Sequence, residues 1–485
     1  MNKTAKNTAI YFVGTVIMGV IGLVNTMLLT RVLTDRAYVM YGFLHNFVTT
    51  AVMFLCFGFD TSYARFYYKH DHTQKHFLWR VCLVPCCLFV LFALLLIEPN
   101  QWILRQVFGT DFSVYATFLL LAYLLFALIH RFTQLTARME ERAVNYVASN
   151  FIGRFGFVIL VFVIFLLSQS KVDFSWVLIS SLIGVVLATF LNLWILFKLT
   201  SDVNEHGVRV SNREMVVYGF PHMINSVLLA AIPLIEKIVI RQASGERNSL
   251  TILGIYTAAV VFQTVVSMVT LTVNNIWNPL VFKHCENEKQ FKPILHNFGM
   301  AVSCITVVGF ALCVLLRRWL VLILDRNYFD VYIIAPAVCF GACYTLVSVI
   351  YGSGINIEKK TIHHIIEPII QITLSVSCCF WLIPTLGLKG VGVAVLMSTA
   401  VSRTYKNVVG LRLYGSGVAE HKMWILMGIC TVVALASLFF TGLIADVIMF
   451  AVLMAAMVLV LNKELLMVIA TAKSLMFSKK SSSEK

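Results

Sequence analysis

Apolar runs of membrane-spanning length recur along almost the whole chain and are separated only by short polar gaps. A helix needs about 20 predominantly apolar residues to cross the hydrocarbon core of a bilayer. The pattern therefore predicts fourteen helical spans and leaves no room for a separate soluble domain. The predicted spans are 8–30, 39–60, 77–97, 113–130, 144–168, 174–197, 216–236, 251–273, 294–316, 331–351, 362–382, 388–402, 423–443 and 446–462.

Composition and charge support an all-α polytopic membrane protein. Of 485 residues, 59% are hydrophobic and 13% are charged, at a mean hydropathy of +0.86. The net charge of +15 is explained without a nucleic acid partner, because placing both termini in the cytoplasm puts most lysines and arginines on the inner side of the membrane. The twelve cysteines lie in or beside apolar runs without zinc-type spacing, so neither disulfides nor a metal site are predicted.

The chain carries a weak internal repeat, whose copies begin at Tyr11 and Tyr218. Each copy has an arginine after its first span, a paired glycine and tyrosine opening the second, and a Lys-His pair at the end of the second. An even number of spans separates the copies, which predicts two pseudo-twofold-related lobes around a central cavity. The expected domains are an N-terminal lobe at 1–200, a C-terminal lobe at 201–412, and two extra spans with a short basic tail at 413–485.

The seventh predicted span, which opens the second copy, is unusually polar. Glu236 and Lys237 are adjacent charges near its end, and such groups are costly in lipid unless they pair or face water. His222 and Asn225 lie on one helix face beside Pro221, which is expected to kink or unwind the helix. These four polar residues are candidates for a substrate path. The alternatives are an interfacial pair that reaches water, and ordinary hydrogen bonds between helices.

Four further candidates come from other spans. Arg154 is the only lysine or arginine within a span by these boundaries, so it should face a partner or a water-filled cavity. Arg31 and Arg65 stand at opposite ends of the first two spans, where they suit an anionic ligand. Asn274 adds neutral hydrogen-bonding capacity at membrane depth. A structural ion pair, misplaced helix ends and contacts between helices remain alternatives for these residues.

The sequence carries no enzyme signature. A Walker-type phosphate loop is absent, and Gly387, Gly390 and Gly392 follow a helix rather than a strand. His363 and Glu367 share a helix face but offer only two metal ligands, so a solvated helix end is the favoured interpretation. We expect no catalytic residues, no metal and no cofactor.

Several short blocks are spread along the chain. They are Arg31-Val32-Leu33, Tyr41-Gly42, Gly58-Phe59-Asp60, Ala64-Arg65-Phe66-Tyr67, Tyr218-Gly219-Phe220-Pro221, Gly254-Ile255-Tyr256, Trp277-Asn278-Pro279, Lys359-Lys360-Thr361 and the stretch 383–394. In order and spacing these blocks resemble the polysaccharide or oligosaccharide flippases (Wzx-type) of the multidrug/oligosaccharidyl-lipid/polysaccharide exporter superfamily. That family more often has Asp-Arg where this chain has Glu236-Lys237.

The resemblance implies a flippase that moves a lipid-linked oligosaccharide or polysaccharide repeat unit across the bacterial cytoplasmic membrane by alternating access. The implied substrate is a sugar on a polyprenyl pyrophosphate, lying in membrane lipid. A coupling H⁺ or Na⁺ and polysaccharide-assembly proteins are possible partners.

Three other functions remain open. A flippase for a peptidoglycan precursor or a sporulation-type lipid belongs to the same superfamily. So does a cation-coupled multidrug extruder, although residues 7–30 lack the acidic residue that some of those proteins use. A membrane-embedded glycosyltransferase or polymerase would need a catalytic group, commonly in a large outer loop, and the predicted loops are short.

Overall fold

The chain is α-helical throughout the residues that the computed structural model describes, which are 3–67, 74–97, 101–140, 142–197, 210–284, 287–322, 324–414 and 420–461. Within these ranges it has seventeen α-helices, a 3-10 turn and one isolated bridge between Leu33 and Val172. The all-α fold class is confirmed. The helices are α1 (Lys3–Val32), α2 (Asp35–Leu55), α3 (Phe59–Phe66), α4 (Gln74–Leu96), α5 (Trp102–Phe108), α6 (Val114–Met139), α7 (Ala143–Ser168), α8 (Phe174–Phe197), α9 (Asn212–Ala243), α10 (Gly245–His284), α11 (Glu288–Val321), α12 (Val331–Tyr351), α13 (Gly354–Ile357), α14 (His363–Leu386), α15 (Leu388–Leu413), α16 (His421–Phe439) and α17 (Leu443–Val460).

Twelve helices in the described ranges are long and apolar enough to cross a membrane, and Ile17–Val32 of α1 forms a shorter apolar stretch. Each of the fourteen predicted spans overlaps one long helix. Large apolar side chains remain exposed on these helices, among them Trp79, Leu167 and Trp381, as expected for surfaces that face lipid. The protein is therefore a multi-pass membrane protein. The predicted basic tail lies outside the described residues.

The helices extend past the apolar runs that predicted them. α6 continues to Met139 and α11 to Val321, so Arg131 and Arg317 lie within helices. The expectation that Arg154 is the only lysine or arginine inside a span is therefore wrong. An apolar run marks only the part of a helix that suits lipid, whereas the backbone hydrogen bonds continue into polar flanks.

Local signals explain where three of the site-bearing helices begin. The Thr34 hydroxyl accepts from the Ala37 amide at the start of α2 (3.2 Å), and Ser113 does the same for α6. At the start of α9, Ser211 and Glu214 form a capping box, each side chain accepting from the other residue's backbone amide. α9 then remains one helix through both of its prolines, so the unwinding expected at Pro221 is not observed.

Packing divides the chain into two compact units, Met1–Thr257 and Ala258–Lys485. The predicted lobe boundary near residue 200 stays a prediction, and we call these divisions the first and second units. In the first unit, α7 packs on α1 and α8, α6 packs on α8, and α9 packs on α2 and α3. The first unit thus places α9 beside the opening helices of the chain.

The second unit is built around α12, the most buried of its apolar helices, which packs against α11, α15 and α16. A buried ion pair between Arg317 and Asp446 joins α11 to α17. The Arg317 guanidinium also donates to the carbonyl oxygens of Ser437 (2.6 Å) and Phe440 (2.7 Å) where α16 ends. One arginine therefore ties both extra C-terminal helices to the unit.

Candidate functional site

α9 lies antiparallel to α2 and α3 along its whole length. Hydrogen bonds and close backbone approaches recur from one end of the pair to the other, which fixes the register. The contacting pairs are Lys237 with Gly42 (2.9 Å), Ala230 with Thr50 (3.0 Å), Gly219 with Gly58, and Met215 with Ser62 (2.6 Å). This register positions the polar residues of the seventh predicted span against particular turns of α2 and α3.

Two glycines permit the closest approach of these helices. Gly58 has φ +77°, a backbone conformation that residues with L side chains rarely adopt. It lies between the end of α2 and the start of α3. A Cβ on Gly219 would lie 2.4 Å from the Gly58 carbonyl oxygen, and a Cβ on Gly58 would lie 2.1 Å from the Gly219 oxygen. Because both atoms that would be struck belong to the backbone, no side-chain movement relieves the overlap.

Replacing Gly219 by alanine should lower the stability of the protein by roughly 1–3 kcal/mol or more, since α9 must shift from α3. Thermal unfolding of the purified protein in detergent would measure the loss. Gly22 is the matched control, because it lies inside α1 with no neighbouring atom within 4 Å of an added Cβ. Gly22→Ala should be neutral or stabilising by up to about 1 kcal/mol. Equal melting temperatures for the two variants would contradict the close packing.

Glu236 and Lys237 are both buried, with 4% and 3% of their surfaces exposed. Neighbouring residues on a helix point about 100° apart, and here each finds a different partner. The Tyr256 hydroxyl donates to the Glu236 carboxylate, and the Lys237 ammonium donates to the Gly42 carbonyl oxygen (2.9 Å). The pair is thus held inside the first unit rather than reaching for water at a helix end.

Arg154 is exposed in the middle of α7. Ring stacking and charge relate this part of α7 to α2 and α6. One turn later, the Phe157 ring stacks on Tyr41 of α2 with ring centroids 5.1 Å apart. The charge of Arg154 acts on Tyr41 and His45 of α2 and on Tyr123 of α6. Arg154 is therefore an exposed cation whose charge reaches residues of α2 and α6 in the first unit.

Two predicted basic residues, Arg154 and Lys237, act electrostatically on one histidine of α2. The charge of Lys237 also acts on His45, which is exposed and lies one turn after Tyr41. We call His45, Arg154 and Lys237, with the phenols of Tyr41 and Tyr123, the basic cluster. Arg154 and Lys237 thus both lie within electrostatic range of His45, and the structure adds His45, Tyr41 and Tyr123 to the predicted residues. The signal for His45 was its place one turn beyond the Tyr41-Gly42 block.

A second group of predicted residues meets near the opposite end of α9. The Arg65 guanidinium lies 4.9 Å from the centre of the Tyr218 ring, and Tyr218 and His222 have ring centroids 5.2 Å apart. Phe66 meets the same tyrosine edge-on. Arg65 and His222 are both exposed, so this aromatic and cationic surface is accessible.

The remaining predicted residues are not gathered with these. Arg31 is exposed in the last turn of α1. Asn225 is half-buried on α9, one turn from His222. Asn274 is half-buried on α10, in the part of that helix that belongs to the second unit. Their assignment to a substrate path stays a prediction.

Buried carboxylates with basic partners that the sequence analysis missed lie in both units. In the first, Arg131 of α6 binds Asp60 of α3 through two nitrogens, at 2.7 and 3.2 Å. In the second, Glu367 of α14 pairs with Arg403 and with Lys406 (2.9 Å), both on α15. Glu367 is 2% exposed, so the interpretation of that helix end as solvated is wrong for this residue. Only the folded packing reveals these partners, because each lies on another helix.

In the described part of the chain, no three histidine, cysteine or acidic side chains are grouped so that they could hold a metal ion. His363, the other half of the predicted two-ligand face, has its Nδ1 at 2.7 Å from the Tyr405 hydroxyl. Hydrogen bonds of this kind fix a helix end without a metal.

Comparison with known proteins agrees with this architecture. The family model described as Polysaccharide biosynthesis protein matches residues 4–285. Among solved structures, the lipid II flippase MurJ in an inward closed conformation has a TM-score of 0.60 at 14% identity, covering 94% of this chain and 99% of its own. An inward-facing multidrug resistance MATE family transporter of the MOP superfamily has a TM-score of 0.60 at 14% identity, covering 84% of this chain and 98% of its own.

An outward-facing transporter of that MATE family has a TM-score of 0.56 at 13% identity, covering 86% of this chain and 96% of its own. No curated protein sequence matches the chain at a significant level. At these identities the structural likeness shows the fold, which is that of flippases and transporters. The sequence match covers more than half of the chain. The resemblance noted in the motifs is thereby confirmed, and the chain belongs to the Polysaccharide biosynthesis protein family.

Proposed function

We propose that this protein is a flippase that moves a lipid-linked oligosaccharide or polysaccharide repeat unit across the bacterial cytoplasmic membrane by alternating access. The observation that carries the proposal is the basic cluster. It gathers His45, Arg154 and Lys237 inside a multi-pass protein of a polysaccharide biosynthesis family. A sugar carried on a polyprenyl pyrophosphate brings phosphate charge to the membrane, and cationic side chains offset it.

The members of the cluster suit different parts of such a substrate. Arg154 offers a planar fork that can bind phosphate oxygens in pairs, while Lys237 acts as a point charge. Glu236 beside Lys237 offsets part of this charge, so the cluster attracts an anion without an excessive positive field. The hydroxyls of Tyr41 and Tyr123 can exchange hydrogen bonds with sugar hydroxyls. In a cleft with low-dielectric walls these charges act more strongly than in water.

The other predicted residues extend the proposed path. Arg65 and His222, joined by Tyr218, combine a charge with aromatic faces, and such faces pack well against the apolar side of a sugar ring. Asn225 continues that face of α9 by one turn. Arg31 and Asn274 are assigned to the path from the sequence pattern alone.

We infer that the working lobes are residues 1–200 and 201–412, followed by the two extra helices and the tail at 413–485. In that division α2 belongs to one lobe and α9 to the other. The α2–α9 contacts described above are then those that alternating access opens and closes. Coupling to H⁺ or Na⁺, or withdrawal of the product by polysaccharide-assembly proteins, would drive net movement.

The proposed location is the bacterial cytoplasmic membrane with both termini in the cytoplasm, because that orientation places most basic loop residues inside. We propose no enzymatic step, no cofactor and no nucleic acid partner. The basic surface is explained by membrane lipid and by the anionic substrate.

A peptidoglycan-precursor or sporulation-type lipid flippase is the second candidate. Its support is the similarity to the lipid II flippase MurJ over 94% of this chain. A multidrug extruder is less well supported, since α1 contains no aspartate or glutamate between residues 7 and 30.

The three candidate functions can be distinguished by measuring which molecule the protein moves across the membrane of reconstituted vesicles. Purified protein would be placed in vesicles with a fluorescent polyprenyl-pyrophosphate-linked oligosaccharide, with labelled lipid II, or with a fluorescent drug-like cation. We expect protein-dependent movement of the oligosaccharide lipid between leaflets, measured by dithionite quenching. Protein-free vesicles and vesicles with an unrelated helical membrane protein are the controls. Movement of the cation without either sugar lipid would refute the proposal, and movement of lipid II alone would favour the second candidate.

A further inference from the structure

A separate cavity opens in the first unit where α2 and α10 begin and α5 and α9 end. Its volume is about 460 Å³. None of the members of the basic cluster lines it, so it is distinct from the proposed substrate site. The lining residues are Arg36, Val39, Met40, Phe43, Phe108, Gly109, Thr110, Arg241, Gln242, Gly245, Ser249, Leu250 and Leu253.

The rim of this cavity is positively charged. Arg36 is exposed, with one Nη 3.4 Å from the Thr110 hydroxyl. Arg241 donates from Nη1 to the Val107 carbonyl oxygen (2.8 Å) and from Nη2 to that of Gln106 (2.5 Å). Backbone carbonyls hold the Arg241 guanidinium in place but leave its full charge. No carboxylate lies among the described residues that line the cavity. Such a rim selects an anion, and paired guanidinium groups suit phosphate.

The floor of the same cavity is apolar. Val39, Met40, Phe43, Phe108 and Leu253 line it and are at most 6% exposed, and Leu250 on the wall is 46% exposed. The Arg241 guanidinium lies over the Phe43 ring, 5.4 Å from its centre. A free phosphate would leave the exposed face of Leu250 in water, whereas a phosphate that carries a hydrocarbon chain would cover it.

The neighbourhood has the character of a membrane interface. Trp102, at the start of the short helix α5, has 63% of its surface exposed, and Tyr115 at the start of α6 has 64%. Exposed tryptophan and tyrosine side chains at helix ends are typical of the level of lipid headgroups. A cavity at this level meets a phosphate and the first carbons of an acyl chain together.

We propose that this cavity binds an anionic phospholipid, with the headgroup phosphate between Arg36 and Arg241 and the upper acyl chain on the apolar floor. The site would be a resident lipid site, separate from the transported substrate. The inference does not depend on the proposed function, because it concerns other residues and is tested by binding alone.

Native mass spectrometry of the delipidated protein in detergent tests the site with defined lipids. Phosphatidylglycerol should bind with an affinity at least tenfold above that of phosphatidylcholine. Arg36→Gln should weaken phosphatidylglycerol binding about tenfold, the factor expected for one lost hydrogen bond to a charged group. Lys171→Gln is the matched control, because Lys171 is exposed and does not line the cavity. Its neighbour Val172 pairs with the backbone at residues 32–34. The Lys171→Gln variant should bind as the parent does.

Two variants that place opposite charges at one position of the cavity wall distinguish an electrostatic effect on lipid binding from a general loss of structure. Leu250 lines the cavity and is 46% exposed, so it tolerates a polar side chain. Leu250→Lys should strengthen phosphatidylglycerol binding and Leu250→Glu should weaken it, whereas a structural defect would weaken binding in both. Equal binding of the two phospholipids, or displacement of phosphatidylglycerol by millimolar inorganic phosphate, would overturn the proposal. Tighter binding of undecaprenyl phosphate than of phosphatidylglycerol would also overturn it, by assigning the cavity to the substrate.

Discussion

An Arg154→Gln variant should restore at most a tenth of the surface polysaccharide to a bacterial strain that lacks the native gene. The change removes one charge from the basic cluster and leaves a shorter, neutral side chain that can still form hydrogen bonds. Loss of a hydrogen bond to a charged group costs about 1.5–3 kcal/mol, which corresponds to a ten- to hundredfold weaker interaction. The measurement is polysaccharide on the cell surface at matched protein abundance.

Two comparisons make this result specific. Lys171→Gln removes a charge from an exposed loop position after α7 and should leave polysaccharide at parental levels. Arg154→Lys keeps the charge but not the planar fork, and should restore part of the activity. No ion pair of Arg154 occurs among the described side chains, so the glutamine variant should retain the parental melting temperature. Parental polysaccharide levels in Arg154→Gln cells would remove Arg154 from the path.

A Glu367→Ala variant should unfold far more readily than the parent. The change leaves Arg403 and Lys406 inside the second unit without their shared carboxylate. Removing one partner of a buried ion pair costs about 3–5 kcal/mol, because an uncompensated charge remains in a low-dielectric interior. Thermal unfolding and the fraction of monodisperse protein after purification would both report the loss.

The matched change is Glu358→Ala, which removes an exposed carboxylate from the residue after α13 and should alter stability little. Adding Lys406→Met to Glu367→Ala should recover part of the stability, because it removes one of the two stranded charges. A melting temperature equal to that of the parent in the single variant would show that water reaches the site.

The apolar runs were sufficient to predict the helices, because burial in lipid and the length of a bilayer dictate where a spanning helix can lie. All fourteen predicted spans coincide with long helices of the structure. Helix ends were less predictable, since polar residues such as Arg131 continue a helix whose apolar part ends earlier. The family resemblance, drawn from short motifs spread along the chain, agreed with the sequence match over residues 4–285.

The partners of the polar residues could not be predicted, because they lie on other helices far along the sequence. Lys237 meets a carbonyl 195 residues away, and Arg131 meets an acid 71 residues away. Glu236 and Lys237 were expected near a helix end, yet packing of α9 on α2 buries both. The sequence signal for His45, its place one turn beyond the Tyr41-Gly42 block, is weak, because a single histidine in an apolar span also fits the helix interior.

The Lys237 ammonium donates to the Gly42 carbonyl oxygen and so joins α9 to α2. Its acceptor is main chain, so no exchange of side chains along α2 can delete it. A side chain at position 42 would interfere, since a Cβ there would lie 2.7 Å from the Lys237 nitrogen. This anchor between α2 and α9 therefore depends on a glycine at position 42 and not on the chemistry of any α2 side chain.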